Sequence, residues 1–169
     1  MTENTLFELS KQIGQALELC GATLTTAESC TGGWIAKVIT DVPGSSAWFD
    51  RGFVTYSNLA KQQLISVTPE TLKAYGAVSE PVVREMALGA LQAAKADYAV
   101  SVSGIAGPDG GSEEKPVGTV WFGFVDKQGQ TFTVTTRFTG DRDAVRHQAT
   151  EFALQTLWNY FLKNKLDAV

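Results

Sequence analysis

"AESCTGG", Ala27 to Gly33, follows the alternating, β-prone run Ala22-Thr23-Leu24-Thr25-Thr26 and precedes the apolar Trp34-Ile35-Ala36. A strand therefore hands over to a helix within one short turn, and the fold class rests on that handover. Gly32 and Gly33 give the turn its backbone freedom. The carboxylate, hydroxyl, thiol and second hydroxyl ahead of them call for a chemical reading as well.

Upstream of this corner, Leu6, Leu9, Ile13 and Leu17 share one helical face over residues 5–19. Thr5-Leu6-Phe7-Glu8 has capping-box spacing, and Gly21 stops the helix. A strand over about 22–27 follows, then a helix opening near Thr31 and ending before Pro43-Gly44. Downstream, Arg51 to Ser57 alternates as a strand, and Asn58 caps a short helix through Lys61 and Leu64. Thr68-Pro69-Glu70 and Ser79-Glu80-Pro81 each pair a hydroxyl cap with an early proline, the second opening a helix to about Lys95. Tyr98 to Ser103 reads as a buried strand. Val117 to Val125 and Thr131 to Phe138 read as two more, joined by a hairpin turn at Asp126-Lys127-Gln128-Gly129. Asp141 caps a terminal helix that carries Val145, Ala149, Phe152 and Phe161. Helices precede, separate and follow the strands. That order predicts an α/β protein, a three-layer α/β/α domain on a mixed, mostly parallel sheet of about five strands, with the hairpin as its antiparallel part.

At 169 residues the chain is long enough for one full core and too short for two comfortable domains, so a single domain over 1–169 is expected. Hydrophobic residues at 44% and charged residues at 19% belong to an ordered chain without low-complexity tracts. No apolar run reaches the ~18 residues of a membrane span, and Met1-Thr2-Glu3-Asn4 opens no secretory leader, so a cytoplasmic location is expected. Two cysteines and one histidine leave almost no ligands for a Cys/His metal site, and we expect neither metal nor cofactor. A net charge of −4, with no lysine or arginine block, argues against nucleic acid as a partner.

In open α/β sheets, ligands bind beyond the carboxyl ends of strands, where helix N-termini aim unpaired N–H groups. AESCTGG lies at such an end, which makes Ser29 a candidate nucleophile. The competing reading is that Ser29 or Thr31 only caps the helix and the glycines only turn the chain. Cys30 ranks below Ser29, because neighbouring residues at a turn face different ways and a Cys/His pair has one available histidine. That histidine, His147, lies one turn after Asp143. A Ser-His-Asp set is possible by inventory, but an ordinary i, i+4 pair on a solvated face explains the two residues better. A serine without a histidine base needs another proton acceptor, which turns attention to "TYSNLAK" and its Tyr56 and Lys61. Taken alone, that segment also fits an interfacial tyrosine and a solvated lysine.

Ser103 to Gly118, "SGIAGPDGGSEEKPVG", is a long glycine-rich connection after a buried strand, a length compact domains keep for binding. Ser103, Gly104 and Gly107 are candidates for the wall of a cleft, with Pro108-Asp109-Gly110-Gly111 as a lid. Ser112-Glu113-Glu114-Lys115 matches S-x-x-K spacing, but its turn-rich, acidic context is not the helix that motif needs. Arg142 sits in the first turn of the terminal helix, against the macrodipole, so it needs an anion: a phosphate, or the carboxylate of Glu28 or Asp143.

Together, AESCTGG at 27–33, YSN followed by Lys61, SGIAGPDGG at 103–111, KPVGTV at 115–120 and GDR at 140–142 resemble the competence-damage-inducible CinA C-terminal domain family over nearly the whole chain. Within it the chain resembles the stand-alone branch. The resemblance implies a three-layer α/β/α fold and hydrolysis of the carboxamide of nicotinamide mononucleotide to nicotinate mononucleotide and ammonia, in pyridine nucleotide recycling. It implies Ser29, Tyr56, Lys61 and Arg142 as the catalytic set. Glu28, Thr31, Gly32, Gly33, Ser103, Gly104 and Gly107 form the candidate substrate-binding set, with N–H groups near Thr31 to Gly33 expected to hold an oxyanion. The base stays open between Lys61 and Tyr56, and so does the choice between acylation of Ser29 and direct attack by a water that Ser29 positions. Many relatives carry a further N-terminal domain, and any activity of that domain is not expected here. The alternative class of function is a competence- or damage-related protein-binding module with a nucleotide-sensing cleft. A third is amide hydrolysis on another small substrate. Trp158, Tyr160 and Phe161 on the terminal helix raise the expectation of a homo-oligomer, although core packing explains them equally.

Overall fold

A computed structural model describes residues 2–165. Helix α1 spans Glu3–Leu19, and its cap is Thr2, whose hydroxyl accepts from Thr5 N, rather than Thr5 as the capping-box spacing implied. It ends as expected at Gly21, in the left-handed region, with Ala22 N donating to Leu17 O and Gly21 N to Glu18 O. Strand β1 (Leu24–Glu28) and helix α2 (Trp34–Thr40) flank the AESCTGG corner. Next come β2 (Phe53–Val54) and α3 (Asn58–Ile65). β2 is much shorter than the alternating run around it, and the cap of α3 is Ser57 rather than Asn58. Helices α4 (Pro69–Tyr75) and α5 (Glu80–Ala94) begin where their hydroxyl–proline starts placed them, but only Thr68 caps through its hydroxyl; Ser79 Oγ donates back to Gly76 O at 2.7 Å instead. β3 (Tyr98–Gly104), β4 (Thr119–Asp126) and β5 (Thr131–Arg137) complete the sheet, and α6 (Arg142–Leu157) closes the fold behind its Asp141 cap.

The sheet order is β2-β1-β3-β4-β5. β1 pairs parallel with β2 and β3, while β4 pairs antiparallel with both β3 and β5, so β4 alone runs against the other strands. The hairpin is thus only half of the antiparallel part, because the long 105–118 connection also reverses the chain. Chain order leaves β1 first toward β2 and then crosses to β3 on its other side, making the carboxyl end of β1 the switch point of the sheet.

Strand alternation assigns the two helical layers. Tyr98, Val100 and Val102 of β3, with Val120, Phe122 and Phe124 of β4, pack against α1, α2 and α6. Ala27, Ala99 and Val125 face the opposite layer, built on α5 with α3 and α4 beside it. Two glycines set the approach of that layer. A Cβ at Gly89 of α5 would lie 1.7 Å from Ile65 O of α3, and one at Gly123 would lie 2.6 Å from Val83 O of α5. Larger residues would push α3 and α5 away from each other and from the sheet. Among the described residues no helix is long and apolar enough to cross a membrane.

Candidate active site

The period-two alternation of β1 divides the corner's chemistry between two faces. Glu28 points toward α2 and is fully buried. Its carboxylate accepts from Ile35 N and Ala36 N, both at 2.9 Å, and from Thr31 Oγ1 at 2.6 Å. Glu28 is therefore the anion at the start of α2, where Gly33, at φ 100°, has no side chain to offer as a cap. Ser29, one residue on, projects to the other face. Its backbone extends the ladder, Ser29 N donating to Val102 O at 3.0 Å, so it stands one step beyond the Glu28–Val102 pair and beside Ser103. The cap-only reading of Ser29 fails because the carboxylate before it does the capping.

Lys61 reaches Ser29 from the end of the first turn of α3, where its N–H donates to Ser57 O. Its Nζ lies 3.0 Å from Ser29 Oγ, 2.9 Å from Thr55 O and 3.2 Å from Tyr56 O, with the side chain only 1% exposed. Lys61 is not the solvated lysine its segment also allowed. Burial penalises the ammonium and lowers its pKa from 10.5 to about 8. As the ammonium, Lys61 donates to Ser29 Oγ and to the carbonyls of Thr55 and Tyr56; loss of one proton above about pH 8 leaves two hydrogens for the carbonyls and a lone pair toward the serine hydroxyl. Cys30, by contrast, turns into the α1/α2/α6 core, where burial pushes its thiol up to about 12. It has no thiolate to offer near neutrality.

The pair lies in a cleft of about 290 Å³ at the carboxyl edge of the parallel strands. Of the candidate catalytic and substrate-binding residues, Ser29, Tyr56, Lys61, Ser103, Gly104, Gly107 and Arg142 line it together, and Cys30 contributes to the wall beside Ser29. Tyr56 is 60% exposed at the rim, and its hydroxyl accepts from Arg142 Nη2 at 3.0 Å. Arg142 Nη1 donates to Gly107 O at 2.8 Å, so its partners are a phenol and a carbonyl rather than the carboxylates of Glu28 or Asp143. The glycines of the wall permit close packing: a Cβ at Gly107, φ 81°, would lie 2.5 Å from Val117.

Four candidates lie off this cleft. Glu28 and Thr31 are buried in the α2 start, while Gly32 and Gly33, with Thr31, line a separate depression beside Trp34, Lys37 and Arg146. Gly32 N already donates to Ser29 O at 3.0 Å. Of the expected oxyanion donors, Gly32 N is thus engaged and Thr31 to Gly33 line the other depression, whereas residues 104–107 line the cleft. His147 is also elsewhere. Its Nδ1 pairs with Glu151 Oε1 at 2.9 Å, not with Asp143, and its ring packs edge-on against Trp34. Ser112 and Lys115 form a turn outside the cleft, and Lys115 Nζ ties the 105–118 connection to Tyr75 O at 2.8 Å. In the terminal aromatic trio Phe161 is buried and Trp158 packs on the core, leaving Tyr160 as the exposed ring. Sequence reasoning missed Ala77 and Val78 as lining residues, for each is a single unpatterned position, and it read Asn58 of YSN as a cap rather than as part of the wall. Among the described residues no group of three or more His, Cys, Asp or Glu is placed to hold a metal ion.

Fold and geometry together define a class: an α/β/α domain with a buried serine–lysine pair in a cleft at the switch point of its sheet. Residues 6–161 match the model of the CinA C-terminal domain, and the chain belongs to that family. It is 71% identical over 164 residues to the nicotinamide-nucleotide amidohydrolase PncC of Escherichia coli (strain K12), covering 97% of this chain and 99% of that one. It is 66% identical over 164 residues to the protein of the same name from Enterobacter agglomerans, covering 97% and 100%. The crystal structure of the competence damage-inducible protein A (ComA) from Klebsiella pneumoniae superposes with a TM-score of 0.88 at 43% identity, over 92% of this chain and 96% of that one.

Proposed function

We propose that the chain hydrolyses the carboxamide of nicotinamide mononucleotide to nicotinate mononucleotide and ammonia, serving pyridine nucleotide recycling. The observation that carries this reading is the 3.0 Å approach of Lys61 Nζ to Ser29 Oγ, inside a cleft shared with Arg142. High identity to two proteins named for nicotinamide-nucleotide hydrolysis supports the substrate. The cleft, at about 290 Å³, lies at the lower limit of the ~300–1,000 Å³ typical of ligand sites, which suits a small ligand.

In this mechanism neutral Lys61 takes the Ser29 proton as Oγ attacks the carboxamide carbon. Backbone N–H groups of Ala106 and Gly107 stabilise the oxyanion, Ile105 N being engaged by Thr119 O at 2.9 Å. Collapse of the tetrahedral species breaks the C–N bond, and the proton on Lys61 passes to the departing nitrogen, which leaves as ammonia. Water then attacks the acyl ester with Lys61 again as base, releasing the carboxylate and restoring Ser29. Lys61 is assigned as base over Tyr56 because the lysine nitrogen contacts the serine hydroxyl, whereas the phenol is engaged with Arg142. Arg142 carries the phosphate. Ser29→Ala should fold normally and lose at least about 10³-fold in ammonia release from nicotinamide mononucleotide. Near-normal turnover by this variant would remove Ser29 from the chemistry, and failure to trap an acyl-enzyme by rapid quench would favour water attack.

A further inference from the structure

The floor and the mouth of the cleft differ in character. Ser29 and Lys61 at the floor are buried, while Asn58, Asp109 and Arg142 at the mouth are exposed. Asp109 is the one carboxylate among the residues lining the cleft. No hydrogen bond or ion pair among the described residues engages it. Its segment is held in place two residues earlier, where Arg142 Nη1 binds Gly107 O at 2.8 Å. The mouth therefore presents a cation tied to the protein at two points, Gly107 O and the Tyr56 hydroxyl, and an acceptor-only group with both oxygens free.

Those two groups require different partners. A phosphate fits Arg142 and is repelled by Asp109. A carboxylate takes hydrogens from neutral donors, and two adjacent hydroxyls match its two oxygens. With a carboxamide at Ser29 on the floor, the ribose of a pyridine mononucleotide lies between floor and mouth and carries such a vicinal pair. We infer that Asp109 receives the 2′- and 3′-hydroxyls of the ribose and is a specificity-determining residue for the nucleotide, separate from the Arg142 subsite. The assignment rests on the cleft being an amidase site for nicotinamide mononucleotide.

The test uses Asp109→Asn and Asp109→Ala, with nicotinamide mononucleotide and its 2′,3′-dideoxyribose analogue. Initial rates are measured on otherwise wild-type protein, and binding by calorimetry in a Ser29→Ala background. Asp109→Asn should raise KM, and Kd in that background, about tenfold or more for the natural nucleotide, with kcat within about threefold. The wild type should bind the dideoxy analogue equally poorly, and Asp109→Asn should cost that analogue nothing further. Asp109 is exposed on a loop, so thermal midpoints should not move. If both ligands weaken by the same factor in the variant, the carboxylate acts on the pyridinium charge or on the loop, and the assignment is overturned. An unchanged Kd for the natural nucleotide overturns it too. Absence of ammonia from the wild type would defeat the amidase reading alone, because the binding ratio decides Asp109 without turnover.

Discussion

Two strand-to-helix corners meet at the cleft, and they use their serines differently. At the β2–α3 corner Ser57 accepts from Ala60 N at 3.0 Å and serves as an ordinary N-cap. At the β1–α2 corner Ser29 stands in a similar place but caps nothing, because Glu28 reaches past it to the amides of Ile35 and Ala36. A hydroxyl at a helix start is available for chemistry only when another group satisfies the helix. The first corner thus supplies a free nucleophile. The second supplies a stable first turn from which Lys61 projects.

The strongest way to break this division is to remove the lysine. Lys61→Met keeps most of the buried stem and should reduce ammonia release by about 10²–10⁴-fold, while wild-type activity rises through about pH 8 as the amine deprotonates. The substitution should at the same time stabilise the fold at neutral pH. A lysine with a depressed folded-state pKa binds its proton more weakly in the native than in the unfolded state, so it destabilises the fold below about pH 8. That penalty is relieved as pH climbs from about 8 to 10.5. The stability advantage of Lys61→Met at neutral pH should therefore shrink by about 3 kcal/mol across that window, read from denaturant melts at each pH. Taking the difference between variant and wild type removes most of the opposing titration of the Cys30 thiol, which burial raises to about 12 and on which the Lys61 charge is the smallest influence. A constant difference would show that Lys61 is not desolvated.

Next in size is Glu28→Gln, which tests the capping side of the comparison. An amide of the same shape loses the charge and turns a donor toward an N–H, so the helix start should lose about 2–3 kcal/mol. Activity per folded molecule should fall less than about tenfold, since Ser29 keeps its ladder bond to Val102. Unchanged stability with abolished turnover would place Glu28 in the reaction and dissolve the distinction between the corners.

How much of this was legible in the sequence depended on whether the signal was local. The hydroxyl cap and proline start at Thr68, the Gly21 stop, the Asp126–Gly129 turn and the Asp141 cap are set by neighbouring atoms, and each was readable; at Ser79 the start was readable but its hydroxyl turns back to Gly76 O. The Thr2 cap was obscured because Thr5 and Glu8 offered a better-looking motif. β2 shrank because an edge strand at the end of β1 has few residues to pair with, whatever its alternation. At the site, the residues of the glycine- and hydroxyl-rich corners were identifiable. Their division was not, because it depends on which helical layer covers which face of β1. Arg142 shows the same limit. Its need for a partner followed from the macrodipole, but only the tertiary fold brings Gly107 O and the Tyr56 hydroxyl to it.

The smallest expected effect lies at the second corner and sharpens the comparison most. Ser57→Ala removes one cap hydrogen bond and should cost about 1 kcal/mol, a fall of roughly 2–4 °C in thermal midpoint for a chain of this size. Lys61 is held by the carbonyls of Thr55 and Tyr56, which precede the cap, so turnover should stay within about threefold of wild type. Ser57→Asp restores a side-chain acceptor at the same helix start and should recover the stability. It also brings a negative charge near Lys61, which favours the ammonium, so the midpoint of the pH–rate profile should move upward even as the fold recovers. A cap that tunes the base without taking part in the reaction would produce that split between stability and pH profile. If both Ser57 variants instead lost activity as Ser29→Ala does, the two serines would not have the separate duties that Glu28 makes possible.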